Sequence, residues 1–262
     1  MRQLRQPRLA EMVAAKLRED ILTGRLKEGD SIPRQEDLYA EFKVSLPAVR
    51  EAMRILETEG LISVRRGNVG GAVVHQPTAD RIAYMVSMVL QTRNTSLSDV
   101  SGALLQLEPV CAAMCAARDD RETAVLPALR AAVEAQKAAF DDPGQYSPLA
   151  RRFHEELVSL CGNDTMIVLI GSLESIWSSH ESAVWGAVAG READAGSPMS
   201  AATRRAAIRD HEKLITAIEA GNTSRAMTLA STHLAATRAS TLASGTAQLI
   251  KASAVGGSQP VA

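Results

Sequence analysis

The sequence predicts a mainly α-helical protein in two parts: a small winged helix-turn-helix with a β-hairpin wing, then an all-α antiparallel bundle of about seven helices. Three observations carry this. Hydrophobic residues make up 46% of the 262 residues but aromatic ones only 3%, and alanine is spread through the second half, a composition of packed helices rather than sheets. Apolar residues recur at steps of three and four in most segments between turn signals. The β-type runs of the first part, LISV and AVV, lie close together, joined by Arg65-Arg66-Gly67-Asn68-Val69-Gly70-Gly71.

Taken in order, Arg2, Arg5 and Arg8 form a basic arm, either trailing along phosphates or simply solvated. Leu9, Val13, Leu17 and Ile21 step by four and predict a helix over 9–23 that ends at Gly24. A turn-rich KEGDSIP link leads to a short helix from Arg34 to Phe42, with Leu38 and Phe42 inward. Ser45 then caps a helix with Pro47 in its first turn and Val49, Ala52, Met53 and Leu56 on its buried face. Arg50 and Arg54 fall on the outer face, and Glu59-Gly60 stops the helix before the hairpin. Any amphipathic helix carries charge on its wet side. Here two more arginines beside turn glycines sit where a groove-probing wing would place them.

A short HQPT link separates residues 1–76 from a second part over 79–245, and residues 246–262 read as a disordered tail. The second part breaks into helices at about 79–92, 96–118, 121–140, 146–161, 165–186, 200–219 and 222–244. Net charge is −1 overall; residues 1–75 hold 13 Lys and Arg against 11 Asp and Glu, and the remainder 16 against 19. So weak an asymmetry makes the placement of the arginines, not their number, the argument for nucleic acid. Cys111, Cys115 and Cys161 form no CxxC pair and read as buried apolar residues in a reducing compartment. No uninterrupted apolar run approaches the roughly 20 residues of a membrane span, and the amino terminus lacks a signal-peptide core, so a cytoplasmic protein is expected.

His154, His211 and His233 each lie in a predicted helix beside apolar residues. The last two bracket Gly221-Asn222, at roughly 16 and 17 Å from that turn along their helices, and so stand side by side. With the His154 helix packed on them, three imidazoles converge as a set for Zn²⁺ or a similar divalent ion; the alternative is buried neutral histidines bonded to neighbours.

The residues Glu28-Gly29-Asp30-Ser31-Ile32-Pro33, Leu38, Val44-Ser45, Val49-Arg50-Glu51-Ala52-Met53, Leu56, Glu59-Gly60-Leu61-Ile62 and Arg66-Gly67 resemble the DNA-binding domain of GntR-type bacterial transcription regulators. That resemblance implies DNA contacts from Arg34 and Gln35 at the second helix, Ser45, Leu46 and Arg50 at the recognition helix, and Arg65, Arg66 and Gly67 at the wing. Two positions depart from the family pattern: Gln35-Glu36 replaces the usual Glu-Arg, and Leu46 replaces an arginine. More loosely, FHEEL, HEKLITAIEAGN and Glu108 resemble the FCD effector domain of the FadR subgroup, which implies metal ligation by His154, His211 and His233 and an effector near Glu108, Met88, Asn163 and Trp177. The usual aspartate ligand one turn before the first histidine is Ala150 here, and the arginine four residues before the glutamate is Leu104. Those exchanges favour an apolar effector, such as a fatty acid or acyl-CoA-like thioester, with Met85, Met88, Met114, Met166 and Trp177 either lining it or serving as ordinary core.

The expected function is therefore a ligand-responsive regulator, a repressor, that binds a palindromic operator as a homodimer, with no membrane partner and no enzymatic activity. Two readings stand beside it: a metal-dependent hydrolase using Glu108, Glu155 or Glu212 as base, and a bundle that only dimerises.

Overall fold

The computed structural model describes residues 9–65, 71–188, 200–244 and 248–255, which fall into two compact units, one up to Thr78 and one from Ala79.

In the first unit α1 (Leu9–Leu22) buries Val13, Leu17 and Ile21 and ends at Gly24, whose φ of 75° is the left-handed turn glycine adopts without strain. Helix α2 (Gln35–Phe42) stops at Lys43, also left-handed. Helix α3 (Leu46–Thr58) begins where the Ser45 Oγ accepts the Ala48 amide, and its buried stripe is Val49, Ala52, Met53 and Leu56, the face the periodicity predicts. These side chains pack with Leu38, Ile32, Ile62 and Val74 into one core. A bidentate contact from the Arg18 guanidinium to the Glu59 carboxylate ties α1 to the end of α3.

The wing carries one strand more than the sequence suggested. Besides β2 (Ile62–Arg65) and β3 (Gly71–Val74), Ser31–Ile32 forms β1, giving an antiparallel sheet of order β1-β3-β2. Two residues are too short to show alternation, and only pairing with Ala72 and Val73 makes them a strand.

The second unit holds α4 (Ala79–Thr92), α5 (Leu97–Ala117), α6 (Arg121–Ala124), α7 (Leu126–Ala138), α8 (Pro143–Ser159), α9 (Asp164–Val188), α10 (Ala201–Glu219) and α11 (Thr223–Ser244). The 121–140 segment is two helices rather than one, making eight among the described residues where about seven were expected. Pro127 has no amide to continue the ladder, so the chain restarts at Val125. Helix α5 is long and apolar enough to cross a bilayer by length and composition, but it is the central helix, packed most extensively on α11 and also on α9, α10 and α8.

The expected disordered tail over 246–262 is corrected for Gln248–Val255. Leu249 bridges Ser96, the Ile250 amide bonds the Thr95 carbonyl, the Lys251 amide donates to His180 Nε2 at 2.9 Å, and the Ala252 amide donates to Gln91 Oε1 at 2.8 Å. Ile250 and Val255 are each 1% exposed and belong to the bundle core. Side chains from α4 and α9 supply acceptors that a local reading of a polar tail does not reveal.

Candidate functional site

Helices α10 and α11 form a hairpin around Gly221 (φ 65°), with the Asn222 side chain capping α11 through the Arg225 amide. His211 lies ten residues before that glycine and His233 twelve after it, so the antiparallel pairing sets them side by side, with Nε2 atoms 3.0 Å apart. His154 on α8 completes the group: its ring centroid is 5.2 Å from that of His211 and 5.3 Å from that of His233, and one ring nitrogen from each histidine lies within 4.8 Å of the others.

Each outer nitrogen has a partner. Nδ1 of His154 meets Glu108 Oε1 at 2.5 Å, Nδ1 of His211 meets Gln136 Oε1 at 2.9 Å, and Nδ1 of His233 faces Asp210 Oδ2 at 3.7 Å. Acceptors beside the Nδ1 atoms favour protons held on that outer side, while the Nε2 atoms of His211 and His233 turn toward one another. Phe153 stacks on the His211 ring at 3.8 Å. Burial drives the His211 pKa well below its ordinary value, reinforced by the neighbouring imidazoles; burial also lowers His233, partly opposed by Asp210. Asp210 in turn is held at about 2, first by the facing His233 and then by Lys213. Convergent imidazoles, with His211 and His233 held toward the neutral form by burial, are a donor set suited to a first-row divalent ion. Ala150, one turn before His154 on α8, adds no carboxylate.

Behind His154 lies a charged cluster. Glu108 is fully buried and its Oε2 accepts from Arg238 Nη2 at 3.0 Å; the same Nη2 donates to Glu174 Oε1 at 2.7 Å. Burial, then the Glu108 charge, pushes the Glu174 carboxyl up to about 8 against the pull of Arg238. Arg238 is 4% exposed with its guanidinium 4.8 Å from the Trp177 ring centroid, and its Nε and Nη1 have no acceptor among the described residues. A buried guanidinium with two donor atoms unmet has capacity for a further acceptor group.

Of the residues the sequence singled out, the three histidines, Glu108 and Trp177 are brought together. Asn163 is not among them: it is exposed, and its Oδ1 accepts the Met166 amide at the start of α9. Met88 is half-buried on α4, while Met85 is 60% exposed and so is no lining residue. Glu212 pairs with Lys137 at the surface and Glu155 is exposed, so neither is set as a base. The three cysteines are buried, as expected.

In the first unit Arg34, Gln35, Ser45, Leu46 and Arg50 are all exposed, and Arg54 pairs loosely with Glu51 at 3.8 Å. The Arg65 backbone closes β2 opposite Gly71, but its side chain, and Arg66 and Gly67 altogether, lie outside the described residues.

Residues 9–73 match the family described as "Bacterial regulatory proteins, gntR family", and residues 99–236 match the FCD domain. The chain belongs to the GntR family, with an FCD domain. Among curated relatives it is 28% identical over 167 residues to the HTH-type transcriptional repressor NanR of Klebsiella aerogenes, spanning 62% of each chain. To NanR of Salmonella newport it is 28% identical over 171 residues, 64% of each. The chain thus spans less than two thirds of the length of these relatives. A solved structure titled Streptococcus agalactiae GntR shares the fold, with a TM-score of 0.65 and 21% identity over 88% of this chain and 99% of that one.

Five further residues of the candidate site were not singled out from the sequence. Asp210 and Phe153 each adjoin a site histidine in sequence, Glu174 is a lone carboxylate in the apolar run MIVLIGSLESIW, and Arg238 follows His233 on α11. Gln136 gave no signal.

Proposed function

We propose that this protein is a ligand-responsive transcription regulator of the FadR type, acting in the cytoplasm as a homodimer on a palindromic operator. Family membership supports the DNA-binding half, and the repressor function printed for the NanR relatives supports repression rather than activation. The observation that carries the ligand-responsive half is the largely buried group of three histidines, each facing an acceptor, beside Arg238 with two donor atoms that meet no acceptor among the described residues.

In this reading His154, His211 and His233 hold a divalent ion, which supplies a Lewis-acid anchor for an oxygen ligand. Glu108, Gln136 and Asp210 orient the rings. Arg238 takes an acceptor group of the effector through Nε and Nη1, and Trp177 offers an apolar wall. A ligand with a carboxylate or carbonyl head and an apolar body, as in a fatty acid or acyl thioester, meets both demands. The bound state biases the spacing of two DNA-reading heads.

The test is elemental analysis of the protein purified without chelators, followed by native mass spectrometry for bound small molecules and titration of any released compound into a DNA-binding assay. One ion per chain and a compound that shifts DNA affinity are expected. A protein that binds DNA with affinity indifferent to metal and to every released compound returns the bundle to a plain dimerisation role.

A further inference from the structure

The recognition helix opens on an apolar side chain turned to solvent. Leu46 is 38% exposed, whereas Val49, Ala52, Met53 and Leu56 on the same helix are all buried in the core of the first unit. Leu46 is thus the large hydrophobic of α3 that is most exposed. Arg50, also exposed, follows four residues later, about 40° around the helix and about 6 Å along it, so the two share one face. Pro47 beside Leu46 has no amide to donate, and the first-turn amide of Ala48 is occupied by the Ser45 hydroxyl.

What meets a duplex at the head of α3 is therefore a hydrocarbon tip followed by a guanidinium. In the major groove the apolar base-edge feature is the thymine C5 methyl; guanine, adenine and cytosine present acceptors or donors that a leucine would desolvate without replacing. The guanidinium suits the O6 and N7 pair of guanine. Resting on the DNA-binding reading above, we propose that Leu46 reads a thymine methyl and Arg50 a guanine about two base pairs further along the same groove, the spacing that about 6 Å of helix spans against a rise of about 3.4 Å per base. Discrimination at the Leu46 position is both attractive, through burial of two apolar surfaces, and repulsive, through stranded polar edges.

The experiment is selection of binding sites from a random duplex pool with the full-length chain, followed by affinity measurement on the selected site with that thymine replaced by uracil, which removes the methyl group alone. Wild-type protein should bind the uracil duplex about fourfold more weakly per substituted half-site, the worth of roughly one buried methyl. Leu46→Ala, which alters no core residue, should bind the thymine and uracil duplexes alike while keeping the salt dependence of the wild type. Leu46→Arg should shift selection at that position toward guanine. A selected site without thymine at this spacing, or one on which uracil costs the wild type nothing, overturns the Leu46 assignment and leaves the regulator reading standing. Failure to enrich any sequence overturns both.

Discussion

The Nε2 atoms of His211 and His233 stand 3.0 Å apart, with each ring's Nδ1 facing a protein acceptor, Gln136 for the first and Asp210 for the second. Two lone pairs that close need something between them. Either one neutral ring donates its Nε2 proton to the other, or a divalent ion held by the histidines would take both lone pairs. Burial keeps both rings neutral and so ready for either occupant.

The proposed ion rests on the convergence of the three imidazoles. His211→Ala should remove bound divalent ion from protein purified without chelators, and Gln136→Leu should weaken ion affinity about 10- to 100-fold by freeing the ring. Ala150→Asp should raise it. Equal metal content in all four proteins, read by elemental analysis, would count against the site.

A pH dependence follows from Glu174. Its carboxyl binds a proton up to about pH 8 in the folded chain but only to its ordinary 4.5 once exposed, so the folded state binds more protons between those values. Stability from this group is full below 4.5 and is lost as pH rises toward 8. Glu174→Gln keeps an acceptor for Arg238 and abolishes that loss. Denaturant titrations at pH 6 and 8.5 should show a wild-type decline larger than the variant's by on the order of 2 kcal/mol.

Arg238 neutralises Glu108 inside the bundle, so Arg238→Met strands a buried carboxylate and should cost about 3–5 kcal/mol in the same titration. Adding Glu108→Gln should recover part of that loss. Neither variant should answer to an effector that shifts the wild type.

Truncation after residue 247 removes Ile250 and Val255 from the core and uncaps His180 and Gln91. A loss of about 2–4 kcal/mol is expected by thermal or chemical unfolding, against none for a dangling tail.

What was legible followed how local the signal was. The buried stripe of α3 and the Ser45 cap could be read because a helix writes its packing at steps of three and four. His211 and His233 could be paired because one turn lies between them. β1 and the 248–255 segment exist only through partners far along the chain, and Arg238 meets Glu108 and Glu174 across 130 and 64 residues. No periodicity records such meetings. The break at Val125, where α6 gives way to α7, is marked in the sequence only by Pro127, inside an apolar pattern that runs through it.

Helix α3 is the element proposed to read a duplex. Affinity of the full-length chain for its selected duplex, measured for wild type and Arg50→Ala at one salt concentration, tests this most directly. Arg50 is exposed and supports no core contact, so the variant should fold normally and lose about 1–3 kcal/mol of specific binding, with relaxed preference at one base pair. Unchanged affinity and an unchanged preferred sequence would contradict it.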